Sequence, residues 1–125
     1  MFSFLTASIR EQLIDNFELN QRRFTEDFQE RDFKPVVKLF TPDAQCTWLL
    51  TELDPETNIA FGLCDLGWGM AELGYVSLEE LNGLRGGLGL AVERDENFAA
   101  SNPLSWYKYR GTTEHVQIPR VNGEG

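Results

Sequence analysis

Three consecutive stretches decide the fold: CTWLLTEL (residues 46–53), DPET (54–57) and NIAFGLCD (58–65). Two apolar runs rich in Trp, Ile, Phe and Thr flank a short turn containing Asp-Pro, a pattern that predicts an antiparallel hairpin. One register sets large residues opposite small ones: Trp48 with Gly62, Leu50 with Ala60 and Cys46 with Cys64. Both faces of this hairpin are then largely apolar, which predicts a sheet covered on both sides.

Upstream of the hairpin, residues 6–29 predict a long helix. Ser8 and Glu11 fit a capping box at its start. Its apolar residues recur at helical spacing and form one stripe, which consists of Ile9, Leu13, Phe17, Phe24 and Phe28. Lys34-Pro35 ends this region, because the residue before proline disfavours the helical conformation. Residues 36–40 then predict a short strand.

Downstream, residues 65–70 predict a loop broken by glycines, and 73–76 a short strand. Ser77 and Glu80 fit a second capping box, which opens a short helix that we expect to end at Arg85-Gly86. Residues 88–93 predict a last strand. Asn102-Pro103 predicts the start of a brief helical turn.

These elements predict an α+β fold, in which a small, mostly antiparallel sheet carries a long N-terminal helix and a short second helix. We expect the sheet core at about 36–93, within one domain over residues 1–110. The chain of 125 residues is long enough to bury a core of this kind. Residues 111–125 predict a loosely ordered tail.

The charge of the chain is −9 and is unevenly placed. Residues 41–100 hold 11 acidic and 2 basic side chains, whereas the segments on either side are close to neutral. An acidic chain argues against direct nucleic-acid binding and against docking to anionic membranes. No apolar run is long enough to cross a bilayer, and the N-terminus lacks the basic region of a signal peptide. We therefore expect a soluble cytoplasmic protein.

The residue types that commonly carry catalysis form no recognisable motif in this sequence. The chain has two cysteines, Cys46 and Cys64, and one histidine, His115, in the predicted tail. Buried structural thiols are the favoured interpretation, although the register above would bring the two thiols together as a conceivable redox pair. No metal-ligand spacing, phosphate loop or dinucleotide fingerprint occurs. We therefore expect no cofactor and no metal.

Carboxylates and one tryptophan are the candidate partner-binding residues. Asp54 and Glu56 lie at the predicted hairpin tip, where a solvated turn is the simpler explanation. Asp65 and Glu72 flank the glycine loop and are weighed as a site for acid–base work. Trp68 lies between two glycines in that loop, and burial in the core or anchoring of a partner explain it equally well.

Four motifs carry a family resemblance: KLFTPDA (38–44), TWLLTELDP (47–55), AFGLCDLG (60–67) and ELGYVS (72–77). Together they resemble an uncharacterised bacterial family, a domain of unknown function common on plasmids, phages and integrative elements. The resemblance covers roughly residues 34–107, and the loop at 68–71 departs from it. It implies a bacterial cytoplasmic protein encoded by mobile DNA, and it supplies no catalytic residue.

Two functions remain in view. The first is a non-catalytic acidic interaction protein of a mobile element that binds a host or element protein with a basic surface, because arrayed carboxylates attract cationic surfaces. The second is a small enzyme, or an enzyme subunit, that uses Asp65 and Glu72 beside the loop at 67–71. The absence of a readable nucleophile and base favours the first.

Overall fold

A five-stranded antiparallel sheet forms the centre of the molecule, with strand order β4-β3-β2-β1-β5. The computed structural model describes residues 2–22, 31–111 and 113. The elements are α1 (Ala7–Gln21), β1 (Val37–Phe40), β2 (Thr47–Asp54), β3 (Ile59–Asp65), β4 (Ala71–Ser77), α2 (Leu78–Gly83), β5 (Glu93–Arg94) and α3 (Leu104–Arg110). The prediction of an α+β fold with an antiparallel sheet is confirmed.

The predicted hairpin exists as β2 and β3, but its predicted register is wrong by two residues. Trp48 lies opposite Cys64, and Leu50 lies opposite Gly62. Two local features cause the shift: a bulge between Leu50 and Glu52, and a turn over 55–58. Bulges insert an extra residue on one strand, so the spacing of apolar residues alone could not give the pairing. Cys46 precedes β2 and does not pair with Cys64.

The N-cap of helix α1 lies two residues before the predicted cap, Ser8. Thr6 is the N-cap, and its hydroxyl oxygen accepts a hydrogen bond from the Ile9 amide at 3.1 Å. Ser8 therefore lies inside the helix, and the predicted Ser8–Glu11 capping box is wrong. The helical residues end at Gln21. The rest of the helix predicted over 6–29, with Phe24 and Phe28, lies outside the described residues.

Both faces of the sheet are covered, as the hairpin predicted. On one face α1 packs against β2, with Leu13, Trp48 and Leu50 in the core. On the other face α3 packs against β3 and β4, and Leu104 and Tyr107 bury Leu63. The predicted helical turn after Asn102-Pro103 is thus confirmed as α3.

The segment after β4 differs from its prediction at two places. Ser77 caps α2, since its hydroxyl accepts from the Glu80 amide at 3.2 Å, but the helix ends at Gly83 rather than at Arg85-Gly86. The strand predicted over 88–93 shrinks to the two residues of β5. Residues 86–90 instead form a tight loop, closed by a bridge between Arg85 and Ala91. Of the predicted tail, only Gly111 and Thr113 are described, and Thr113 is buried.

Candidate functional site

The loop between β3 and β4, residues 66–70, presents Trp68 to solvent; we call it the Trp68 loop. The Trp68 side chain is 84% exposed, which decides between the two interpretations of this residue in favour of exposure. Gly67 and Gly69 on either side have φ of +88° and +82°. This left-handed conformation strains residues with a Cβ. The two glycines therefore permit the backbone turns that lift the indole away from the core.

The backbone of the Trp68 loop is held at its first turn. The Asp65 carboxylate accepts a hydrogen bond from the Gly67 amide at 2.8 Å, an arrangement in which a side chain closes a turn of its own backbone. The Gln45 side chain lies against Gly67 from the neighbouring loop. Both contacts act on the backbone and leave the Trp68 ring uncovered.

The Trp68 loop adds further apolar surface around the indole. Leu66 and Met70 are exposed on the same five-residue loop. Exposed apolar side chains that are grouped on one loop mark interaction sites more often than isolated ones do. A loop tryptophan with apolar neighbours has the composition of a binding anchor, because aromatic residues dominate the energetics of protein interfaces.

Asp65 and Glu72 do not come together. Asp65 pairs with Ala71 across β3 and β4, whereas Glu72 pairs with Cys64. Successive side chains on a strand point to opposite faces, so the two carboxylates occupy opposite faces of the sheet. Ala71 belongs to the core beneath α3, and Cys64 packs against the core beneath α1. A shared acid–base site for this pair has no geometric support.

Asp54 and Glu56 lie at the other end of the hairpin from the Trp68 loop. The Asp54 carboxylate accepts from the Glu56 amide at 2.9 Å and so closes the hairpin turn. The length of β3 separates this tip from Asp65, which amounts to about 20 Å at the usual rise of a strand. The five predicted site residues therefore form two groups, Asp65, Trp68 and Glu72 at one end and Asp54 and Glu56 at the other.

An open polar groove of about 1130 Å³ adjoins the Trp68 loop, and sequence reasoning missed it. The groove is lined by Asp65, Gly67 and Gly69, and also by Lys38 and Arg94. The Arg94 guanidinium lies 3.4 Å from the Glu96 carboxylate. β1 and β5, which pair at Leu39 and Arg94, both contribute to the groove lining, with Lys38 from β1 and Arg94 from β5. Since these residues are far apart in the chain, only tertiary structure reveals the groove.

The sequence pattern did not indicate a role for Asp43 either. One oxygen of its carboxylate accepts from the amides of Leu88 and Leu90, at 2.7 and 3.2 Å. The other oxygen is buried without a partner in the described part of the chain. The carboxylate fits against Gly86, where a Cβ would overlap it. Asp43 therefore clamps the loop over 86–90.

Neither cysteine forms a disulfide, and both are half-buried. Burial raises the pKa of the Cys64 thiol above its ordinary value, which lowers the fraction of reactive thiolate at neutral pH. Among the described residues, no three His, Cys, Asp or Glu side chains gather as a possible metal site. His115 lies outside the described residues. None of the helices in the described part of the chain has the length and apolar character that a bilayer crossing requires.

A family model described as "Protein of unknown function (DUF2958)" matches residues 4–116. Neither a curated protein nor a solved structure matches the chain. The matched range extends beyond the resemblance seen over 34–107 and takes in α1. The model covers far more than half of the chain, and the protein therefore belongs to the DUF2958 family.

Proposed function

We propose that this protein is a non-catalytic acidic interaction protein, which binds a partner with a basic surface through the Trp68 loop. The exposure of Trp68 on a backbone held by Asp65 carries the proposal. An anchor that is already oriented loses little conformational entropy on binding, and this favours affinity. The partner we expect presents an apolar pocket for the indole, rimmed by Lys or Arg.

The charge around the Trp68 loop supports a basic partner. Residues 65–84 contain Asp65, Glu72, Glu79 and Glu80 and no Lys or Arg. The negative charge of this stretch attracts a cationic partner and repels acidic ones, although Lys38 and Arg94 line the adjoining groove. Asp54 and Glu56, at the far end of β3, contribute long-range attraction in this proposal rather than direct contacts.

The setting that we propose follows from the resemblance in the sequence. A bacterial cytoplasmic protein encoded by mobile DNA meets host proteins and proteins of its own element. Proteins that bind DNA through basic surfaces are suitable partners, because arrayed carboxylates attract the cationic groups that otherwise bind phosphates. Direct binding of nucleic acid by this chain is disfavoured by its charge of −9.

The test compares three immobilised proteins in bacterial lysate at low salt: the natural chain, Trp68→Ser and Leu88→Ser. Leu88 is a matched control, since it is 82% exposed on another glycine-containing loop. We expect the natural chain and Leu88→Ser to retain the same basic protein, and Trp68→Ser to lose it. Raising the salt concentration should release the partner, because screening weakens charge attraction.

The proposal predicts a difference between variants rather than mere capture of proteins. Retention of an identical set of proteins by Trp68→Ser and the natural chain would show that the loop is not the binding surface. Retention of no protein by any of the three at low salt would contradict a basic partner in that lysate. Partner identity is read by mass spectrometry of the proteins that differ between the variants.

A further inference from the structure

The outer edge of β4 is an unprotected strand. β4 is the last strand of the sheet on its side, and no described strand pairs with its outer edge. Natural proteins commonly protect such edges with Pro, Lys, a bulge or a very short strand. The opposite edge follows this rule, since β5 has two residues. β4 has seven residues in unbroken register with β3, and it contains no Pro, Lys or Arg.

The register identifies which backbone groups of β4 point outwards. The Leu78 amide donates to the Asn58 carbonyl at 3.0 Å, directly beyond the pair of Ile59 with Ser77. Hydrogen-bonded pairs alternate along an antiparallel ladder. Positions 72, 74 and 76 therefore bond inwards to β3. The backbone groups at positions 71, 73 and 75 and the Ser77 amide consequently face the open edge, whereas the Ser77 carbonyl accepts within α2 as that of its N-cap residue.

Two of the outward-bonding residues carry exposed apolar side chains. Leu73 is 45% exposed and Tyr75 is 76% exposed, on the same face of the sheet. The Tyr75 ring lies 5.1 Å from the Phe61 ring, measured between centroids. An apolar row thus runs from β3 to the open edge of β4, where it ends without cover in the described structure.

We propose that β4 pairs antiparallel with β4 of a second copy of this chain, about a two-fold axis at Gly74. In this register Leu73 lies opposite Tyr75 of the second copy, and the symmetry creates the same apolar pair twice. All four outward positions of each strand then lie opposite one another, and of their backbone groups the Ser77 carbonyl is already used within α2. Registers centred on Leu73 or Tyr75 would use only three of these positions.

Charge and space at the axis fit this pairing. Glu72, the one charged residue of β4, lies opposite Val76 of the second copy and meets no like charge. Like charges directly opposite each other would destabilise a sheet. A Cβ at Gly74 would have no neighbour within 4 Å, so nothing in the described structure obstructs a close approach at the axis.

The salt dependence of this dimer is opposite to that of a complex with a basic partner. Each copy carries a charge of −9, so the two copies repel each other at long range. Salt screens this repulsion, and we expect the dimer to tighten as salt rises. The existence of the dimer can therefore be tested independently of the function proposed for the Trp68 loop.

The first experiment is sedimentation velocity of the full chain from micromolar to millimolar concentration, at low and moderate salt. We expect a concentration-dependent dimer for the natural chain and for Leu88→Lys, an equally exposed position off the β4 edge. Tyr75→Lys places a cation in both apolar pairs and should raise the dissociation constant roughly tenfold or more. A natural chain that stays monomeric throughout, or a Tyr75→Lys dimer as tight as the natural one, would overturn the proposal.

A second measurement needs no variant. Amide hydrogen exchange of the natural chain, followed by NMR, reports each residue of β4 separately. The amides of Leu73 and Tyr75 should exchange more slowly at high protein concentration, while those of Glu72 and Gly74 are protected by β3 at every concentration. Equal exchange of Leu73 and Tyr75 at low and high concentration would also overturn the dimer.

Discussion

Two glycine-containing loops each expose large apolar side chains, most of all Trp68 and Leu88, but the loops are held in different ways. The Trp68 loop is closed by Asp65, which lies two residues before the amide that it binds. The loop over 86–90 is clamped by Asp43, which lies 45 residues before Leu88. The first turn of the Trp68 loop is therefore closed by a residue next to it, with Gln45 and Cys46 in contact beside it, whereas the loop over 86–90 is closed by a distant residue.

This difference predicts which substitutions affect partner binding and which affect the stability of the fold. A loop that depends on its own backbone for shape can change its side chains without disturbing the fold. A loop tied to a distant, partly buried carboxylate depends on the contacts that this carboxylate makes. We therefore expect substitutions that disturb the Asp43 clamp on the 86–90 loop to act on stability, and substitutions at the tip of the Trp68 loop to act on partner binding.

The largest effect is expected for Gly86→Ala. The new Cβ would overlap the Asp43 carboxylate and displace it from the Leu88 and Leu90 amides. We expect the free energy of unfolding, measured by urea denaturation, to fall by about 3 kcal/mol, as for overpacking of a tight site. Gly87→Ala is the matched control, because a Cβ there meets nothing within 4 Å, and it should cost less than about 0.5 kcal/mol.

A double-mutant cycle tests the cause of that loss. Once Asp43→Ala has removed the carboxylate, Gly86→Ala should cost much less than it does in the natural chain, since residues in contact are not additive. Equal costs in both backgrounds would place the strain elsewhere in the loop and would contradict the clamp.

Asp43→Ala is expected to have the next largest effect. It leaves the amides of Leu88 and Leu90 without their acceptor, which we expect to cost about 2 kcal/mol of unfolding free energy. Asp43→Asn keeps one carbonyl oxygen and should cost less than half as much. Urea denaturation of both variants checks this order. Equal losses would mean that the charge, and not the accepting oxygen, holds the loop.

Sequence reasoning recovered several local features of the molecule, although it misplaced the cap of α1 and the hairpin register, and it missed the distant features. Ser77 as a helix cap and the hairpin depend on neighbours within a few residues, and both were predicted. The clamp by Asp43 depends on a contact across 45 residues, and no short-range pattern signals it. For this reason the sequence predicted a strand over residues 88–93, whereas residues 86–90 form a loop in the structure.

The same difference between local and distant features applies to the candidate site. Trp68 was identified from its two flanking glycines, although its exposure needed the structure to decide it. Asp65 and Glu72 lie close together in the chain, which suggested a shared acid–base site. That hypothesis did not take into account that β3 and β4 place the two side chains on opposite faces of the sheet. The hairpin register failed because the turn over 55–58 and the bulge after Leu50 leave no trace in the spacing of apolar residues.

The smallest effect on stability is expected at the two exposed tips. Trp68→Ser and Leu88→Ser remove side chains that are almost fully exposed, so each should change the free energy of unfolding by less than about 0.5 kcal/mol. Thermal and urea denaturation of both variants check this. A clear loss of stability in Trp68→Ser would mean that the indole packs on the fold. Partner binding that is lost in Trp68→Ser but kept in Leu88→Ser, with the stability of both variants unchanged, would assign different roles to the two loops. Only the exposed tip of the Trp68 loop would then be needed for binding.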